Sequence, residues 1–265
     1  MVQHLTKSKI TVLGSTGYIG TNLIKSFLDR GEIQQISNNN SEQINLSQNE
    51  QNIIINLCAS KPNATLDESF EGNFNFQQNV IRRNLDKNIL WIQIASYYEL
   101  QIKLGRVDHY SNHKFHFRKF LNEWSSDHVN FKYKCLFLPH IFGRNESANR
   151  LIPSLRQLNL GQKTMFGPKN QQIPLLFIDD AIRAILLSIE ANQKVSTATP
   201  IWYDKLNVLV KETVKTKFID DFSEFQGSAP KYLAKQVKFP HQLINFAPRF
   251  TFSELKSKLK GGVHF

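Results

Sequence analysis

A strand-like run, Lys9–Leu13 (KITVL), runs into three glycines, Gly14, Gly17 and Gly20, and apolar residues at helical spacing come directly after. Few sequence features restrict a fold as strongly. Ile19, Leu23, Ile24, Phe27 and Leu28 recur three to four apart, as on one face of a helix. The order is therefore strand, glycine turn, helix. Gly14 permits the sharp bend, Gly17 lets backbone N–H groups approach a pyrophosphate, and Gly20 lets the helix pack close to the sheet. The helix N-terminus then presents aligned amide dipoles to an anion. A glycine triplet alone is a weak signal; a strand before it and a helix after it give it meaning. Gly14-Ser15-Thr16-Gly17-Tyr18-Ile19-Gly20 reads as a dinucleotide phosphate loop.

The alternation continues along the chain. Ile33–Ser37 reads as a second strand. Asn52–Ala59 (NIIINLCA) and Ile89–Ala95 (ILWIQIA) are short continuous apolar runs, as expected of strands buried on both faces. Lys132–Phe137 is a further strand, and Asp67–Asp86, Asp108–Trp124 and Asp179–Ala191 are helical. This pattern predicts an α/β fold, a Rossmann-like doubly wound parallel sheet. The rhythm breaks after about Ser196, where Leu206–Lys217 and Phe252–Leu259 read as helices and Thr251 with Glu254 fits a capping box. The expected organisation is a dinucleotide-binding Rossmann domain over residues 1–195. A small C-terminal substrate-binding cap lies mainly over 196–265, with sheet-edge segments in 144–175 contributing.

Composition narrows the partners. The 33 Lys and Arg against 22 Asp and Glu give a formal charge of +11, which invites a nucleic-acid reading. However, no run of consecutive basic residues exceeds two, and residues 201–265 hold 11 Lys and Arg against 6 Asp and Glu, so the excess is spread. A solvated basic surface is the plain reading, attraction of a small anionic ligand the second, and no nucleic-acid partner is expected. No apolar run approaches the ~18 residues that span a bilayer, so no membrane partner is expected. The opening residues Met-Val-Gln-His-Leu-Thr-Lys show no secretory leader. Cys58 and Cys135 each lie in an apolar segment and read as buried thiols, neither a disulfide framework nor a zinc site. A reducing, cytoplasmic location fits.

An acidic residue at the end of the second strand holds the adenosine ribose in NAD-type sites. Gln34–Asn40 contains none, and Ser37 and Asn38 can donate hydrogen bonds to a 2′-phosphate. NADP is expected, with NAD left open.

Tyr110-Ser-Asn-His-Lys114 places a phenol and an ammonium four residues apart on one helix face. The cation favours the phenolate, so Tyr110 can exchange a proton near neutral pH. With 7 Tyr in a lysine-rich chain such a pair is not rare by chance, and its placement carries the weight. It comes after a strand ending in Ile94-Ala95-Ser96, and the reactive groups of such sheets gather at strand carboxyl ends. Ser96 can hydrogen-bond a substrate oxygen there. His140 comes after the next strand on the same edge and reads as a cofactor or substrate contact, or else as a satisfied core histidine. His109, His113 and His116 read as exposed or packed helix residues, and no metal site is expected because no acidic or thiol ligand accompanies them.

At these residues the chain resembles the extended short-chain dehydrogenase/reductase family of nucleotide-sugar epimerases, dehydratases and 4-ketoreductases. Gly14, Gly17 and Gly20 match its glycine pattern, and Ser96, Tyr110 and Lys114 its catalytic trio. Asn56-Leu57-Cys58-Ala59-Ser60 resembles its fourth-strand signature. Asn73 to Asn79 resembles its Asn-containing helix, with Phe76 where a glycine is usual. Phe177-Ile-Asp179-Asp180 resembles its late strand-to-helix motif. Pro139-His140-Ile-Phe-Gly143 followed by Arg150-Leu-Ile-Pro153 resembles the CDP-4-keto-6-deoxyhexose reductases of the abequose-synthase type. The resemblance implies cofactor contacts at Leu57, Ala59, Asn73, Pro139 and His140, and at Tyr110 and Lys114. It implies substrate contacts at Ser96, Tyr97, His140, Arg150 and Lys163. Relatives dimerise through the helices that include the one bearing Tyr110, which leaves a homodimer open. The chain departs from the pattern in the short Ser96–Tyr110 spacing and in Phe137, which stands where an arginine is usual.

The resulting expectation is an NADPH-dependent reduction of the 4-keto group of a CDP- or dTDP-linked 4-keto-6-deoxy sugar. The first alternative is a nucleotide-sugar epimerase; dehydration is disfavoured because Tyr97-Tyr98 comes after Ser96 where dehydratases carry Asp-Glu. The second is a non-catalytic dinucleotide sensor.

Overall fold

The computed structural model describes residues 8–27, 33–37, 44–61, 64–104, 108–162, 164–166, 172–203, 206–214, 222–224 and 240–261. Its residues fall into two compact units: one comprises Met1–Leu138, Ile182–Thr197 and Phe239–Ile244, the other Pro139–Ala181, Ala198–Lys238 and Asn245–Phe265.

In the first unit, six parallel strands run in the order β2-β1-β3-β4-β5-β9: Ile33–Ile36, Lys9–Leu13, Asn52–Asn56, Ile89–Ser96, Phe131–Leu138 and Val195–Thr197. The chain starts in β1, steps to β2 on one side and then crosses to β3 on the other. The strand order therefore reverses between β1 and β3, and ligands of open α/β sheets bind outside the strand carboxyl ends at such a switch point. β3 is buried at every residue, as its unbroken apolar run requires. Trp91 on β4 is fully buried and packs edge-on to Phe117 of helix α4 (His109–Asp127) and against Phe131 of β5. Its indole N–H donates to Gln93 Oε1, which also accepts from the Asn56 amide at 2.8 Å, so the polar side chains inside the sheet satisfy one another.

The helices adopt the expected periodicity with one exception. Helix α1 covers Tyr18–Lys25. Asp108 caps α4 by accepting the Ser111 amide at 2.8 Å. The helix expected over Asp67–Asp86 is instead three pieces: α2 (Leu66–Phe70), a π-helical turn (Glu71–Asn75) and α3 (Phe76–Arg82). The π turn inserts a residue into the helical ladder and turns Asn73 into the interior. A 3₁₀ stretch, Tyr97–Leu104, links β4 to the residues before α4.

The second unit holds a three-stranded sheet, β10-β8-β6 (Ile201–Tyr203, Ile173–Phe177, His140–Phe142), and a parallel pair, β11-β7 (Phe222–Glu224, Thr164–Phe166). Its helices are α5 (Leu151–Asn159), α7 (Leu206–Thr213) and α8 (Phe252–Gly261); α6 (Ile178–Glu190) begins directly after β8 and from Ile182 onward belongs to the first unit. Apolar residues of α5, α7 and α8, among them Leu155, Leu158, Leu209, Leu255 and Leu259, share one core with Phe142 and Leu175. The buried Asn159 amide donates to Thr213 O and Leu259 O and so ties the three helices at their ends. The Thr251–Glu254 capping box forms as expected, with the Thr251 amide 2.6 Å from Glu254 Oε2 and the Glu254 amide 3.3 Å from Thr251 Oγ1.

Asp180 is a polar anchor of this unit. It is buried, and its carboxylate accepts the Arg249 amide at 3.0 and 2.9 Å and the Phe250 amide at 2.9 Å. Asp180→Ala leaves the buried Phe250 amide and the part-buried Arg249 amide without this acceptor. It is expected to destabilise the protein by roughly 2–4 kcal/mol, read as a lower midpoint in urea unfolding at unchanged slope.

Candidate functional site

The glycine turn stands at the switch point. Gly14 has φ +76°, a conformation that favours glycine. A Cβ there would lie 2.9 Å from Cys58 N and Leu57 C, so the turn closes directly on the chain leaving β3. A Cβ on Gly20 would overlap the Gly14 carbonyl oxygen and come within 2.8 Å of Ser15 Cα and C. The Gly14 amide donates to Ile36 O at 2.9 Å, which joins the turn to the end of β2. Gly17 caps α1 in an extended conformation with no side-chain hydrogen bond, so no side chain of the cap occupies the helix N-terminus. Thr16 and Gly17 are exposed, and Tyr18 and Ile19 half-buried. A glycine turn opening onto a helix N-terminus offers the backbone amide chemistry that suits a pyrophosphate. Ser37 is half-buried after β2; Asn38 lies outside the described residues.

The segment after β3 is held by a polar network. Asn73 accepts the Ser60 amide at 3.2 Å and donates to Ser60 Oγ at 2.6 Å and Ser69 Oγ at 3.1 Å. Ser69 Oγ also meets His113 Nδ1 at 3.0 Å, which links α4 to this network. Desolvation and the nearby His109 hold the His113 imidazole below its usual range. Gln77 adds a bond to Gly72 O at 2.7 Å. Leu57 and Ala59 are half-buried on the segment so fixed, and Asn73 acts on it through its amide. Burial pushes the Cys58 thiol up to about 12, so it is an inert neighbour of the turn.

Ser96 ends β4, and Tyr110 and Lys114 sit in the first two turns of α4. Lys114 is buried; its Nζ donates to Ile94 O at 3.1 Å and lies 5.6 Å from the Tyr110 ring centroid. The ammonium is thus pinned to the strand two residues before Ser96 and placed by the phenol. Tyr110 and Ser96 are half-buried. Ser96 Oγ accepts the Tyr98 amide at 3.2 Å, and the Ser96 amide donates to Glu99 Oε1 at 2.8 Å. Tyr97 is buried, which pushes its phenol up.

The second unit carries a polar cluster at β6 and the loop after it. Pro139 is buried and His140 opens β6. His140 Nε2 stands 4.0 Å from Glu146 Oε1, and Arg150 Nε stands 3.2 Å from the same oxygen. Burial, reinforced by Arg150, pushes the His140 imidazole down to about 3, so it is neutral at pH 7. The Glu146 side chain is 1% exposed, and burial pushes its carboxyl up to about 7 against the pull of Arg150. A cavity of about 410 Å³ is lined by Gly143, Arg144, Glu146, Ile152, Pro153 and Arg156. Lys163 lies outside the described residues. Glu146 and Glu99 escape a sequence reading because only tertiary packing buries them.

A raised carboxyl pKa means that the folded state holds a proton the unfolded state releases. The stability Glu146 contributes is present below its ordinary value of 4.5 and is lost as pH rises through about 7. Glu146→Gln is therefore expected to gain stability relative to the native protein between about pH 5 and pH 8, by up to about 2 kcal/mol, in paired thermal melts. His140 works in the opposite direction, so the comparison is made within the His140 background.

Among the described residues no cluster of metal-ligating side chains is present, and no helix is long and apolar enough to cross a membrane. Residues 93–201 match the sequence profile of the NAD dependent epimerase/dehydratase family. No curated protein is significantly similar to the chain. Solved structures share the fold over nearly their whole length. UDP-N-acetylglucosamine 4-epimerase from Methanobrevibacter ruminantium M1, in complex with UDP-N-acetylmuramic acid, is 15% identical with TM-score 0.73, over 95% of this chain and 96% of that one. UDP-glucuronic acid 4-epimerase from Bacillus cereus, in complex with UDP-glucuronic acid and NAD, is 14% identical with TM-score 0.71, over 95% and 96%. RMD from Pseudomonas aeruginosa, complexed with NADPH, is 14% identical with TM-score 0.68, over 97% and 96%. The fold of this chain is thus the Rossmann-like fold of these proteins.

Proposed function

We propose that this protein is an NAD(P)-dependent nucleotide-sugar enzyme of the epimerase/dehydratase family. In this reading it reduces the 4-keto group of a CDP- or dTDP-linked 4-keto-6-deoxy sugar, for surface-polysaccharide synthesis in the cytoplasm. The observation that carries the reading is Lys114, buried and pinned to Ile94 O beside the Tyr110 ring, on the helix that comes after a strand ending in Ser96. The matching profile over residues 93–201 covers the same elements and supports it.

The glycine turn from Gly14 to Gly20, with Ser37 and Asn38, would hold the dinucleotide, and Leu57, Ala59, Asn73, Pro139 and His140 would add contacts. Bound there, the reduced nicotinamide supplies hydride. The protein's own residues handle the proton. Tyr110 gives its phenolic proton to the oxygen that becomes the 4-hydroxyl, and Ser96 Oγ donates a hydrogen bond to that oxygen. Lys114 would stabilise the phenolate left behind and would be the residue that holds the ribose of a bound cofactor. Tyr97, His140, Arg150 and Lys163 are assigned to the nucleotide-sugar. NADP is preferred on the second-strand sequence; the solved structures of this fold include complexes with NAD and with NADPH.

A second reading, epimerisation at C4, is favoured by the 4-epimerase activities named for two of the similar solved structures. The two separate in one experiment. Purified protein is offered NADPH with CDP- and dTDP-4-keto-6-deoxyglucose, and the absorbance of NADPH is monitored. Stoichiometric oxidation supports the reductase. Cofactor retained through purification, with UDP-sugars interconverted and no net NADPH consumption, supports the epimerase. Cofactor binding with neither activity would leave the sensor.

A further inference from the structure

The cavity beside α5 has no part in the proton transfer described above, and its walls are rich in positive charge. Arg144 and Arg156 line it, together with Gly143 and Glu146 of the loop after β6 and with Ile152 and Pro153 in the first turn of α5. Arg150, the N-cap of that helix, makes no side-chain cap, and the positive end of the helix dipole adds to the two guanidiniums. Arg144 is half-exposed and pairs with the equally exposed Asp179 at the start of α6. Glu146 is the acid in this wall, and its side chain is 1% exposed. Its Oε1 stands 3.2 Å from Arg150 Nε and 4.0 Å from His140 Nε2 and accepts no hydrogen bond among the described residues. Its Oε2 accepts the Gly143 amide at 3.3 Å.

We propose that this cavity binds the diphosphate of a nucleotide-sugar, with Arg144 and Arg156 as its cationic partners, and that Glu146 takes up a proton from solvent as the diphosphate binds. The inference rests on the nucleotide-sugar reading given above and adds to it a proton-linked anion site. Guanidiniums suit phosphate oxygens by charge and by their paired donors. An ionised carboxylate in the same wall would repel the incoming anion, so a bound diphosphate favours the neutral form of Glu146. Burial has already brought that carboxyl to about 7, so both forms are populated near neutral pH before anything binds. The charges acting on it are those of Arg150 and Arg156 on α5. His140 on β6 is neutral over this range, and Arg144 is paired with Asp179. A bound anion raises the carboxyl pKa further, so binding takes up a proton and affinity is lost as pH rises through about 7.

CDP-, dTDP- and UDP-glucose are the probes. Each carries a diphosphate esterified at both ends, so its charge stays constant near neutral pH, and none has a keto group to reduce. Binding is measured by isothermal titration calorimetry. If the bound anion raises the Glu146 pKa by about one unit, native affinity falls about fivefold from about pH 6 to about pH 8. Glu146→Gln, neutral throughout, is expected to hold its affinity within about twofold over that range and to bind about fivefold more tightly than native at about pH 8. Arg156→Gln is expected to weaken binding about tenfold at both ends of the range. Should Glu146→Gln not fold, native protein titrated in two buffers of different ionisation heat reads the proton directly. A fraction of a proton taken up per sugar bound supports the proposal, and none overturns it. The same pH dependence in native and Glu146→Gln, or full affinity in both Arg144→Gln and Arg156→Gln, also overturns it, as does binding of none of the three sugars at about pH 6. Proton-linked binding without NADPH oxidation when keto-sugars are offered is a failure of the proposed reduction alone and leaves this site standing.

Discussion

Gly20→Ala is expected to abolish dinucleotide binding and to weaken the fold together. The added methyl meets the Gly14 carbonyl oxygen and the Ser15 backbone, not a side chain that can swing away. Either α1 moves off the sheet or the turn opens. Both responses pull the N-terminal amides of α1 from the place where a pyrophosphate would sit. Overpacking of this kind costs roughly 2–4 kcal/mol, and displaced phosphate donors should weaken NADPH by about 100-fold or more. Fluorescence titration with NADPH and urea unfolding read the two effects independently. Thr16→Ala, on the exposed rim of the same turn, serves as the control and should leave stability within about 0.5 kcal/mol. Native affinity in Gly20→Ala would show that the turn is a structural bend only.

Tyr110→Phe should behave in the opposite way, keeping the fold and the cofactor while losing the reaction. The ring remains beside the Lys114 ammonium, whose bond to Ile94 O does not involve the phenol oxygen. The substitution removes the proton donor alone. The turnover rate is expected to fall by about 10²–10⁴-fold with the NADPH affinity within about twofold of native. Steady-state kinetics and the same fluorescence titration check both halves. Full activity in Tyr110→Phe would move the proton transfer to another group. Activity lost together with NADPH affinity would make the tyrosine a binding residue.

The framework of the first unit is legible in the sequence because its strands are buried on both faces. Continuous apolar runs such as Asn52–Asn56 and Ile89–Ser96 admit little else, and the glycine turn commits the chain after β1 to a helix packed on the sheet. Local hydrogen-bonding rules carry the helix ends too: Asp108 caps α4 and Thr251 with Glu254 closes the start of α8, as their side chains require. The short strands of the second unit are another matter. Three residues such as His140–Phe142 or Ile201–Tyr203 contain too little of any period to register, and β8 and β10 are defined by their partners. The π turn at Glu71–Asn75 is equally silent, since it arises from Asn73 reaching Ser60 and Ser69 across the interior. The same holds at the candidate site. Tyr110 and Lys114 announce themselves by spacing on one helix, whereas Glu99 and Glu146 look like ordinary surface acids until packing removes their water.

Transfer of a labelled hydride tests the central claim most directly. NADPH carrying deuterium at the transferable position is incubated with the protein and a CDP- or dTDP-linked 4-keto-6-deoxy sugar, and the sugar product is analysed by mass spectrometry and proton resonance. A reductase working through Ser96, Tyr110 and Lys114 yields a product that carries the deuterium on C4, in one configuration, with NADPH consumed in equal amount. A product without deuterium, or NADPH left unconsumed with every sugar offered, contradicts the reduction assigned to this site.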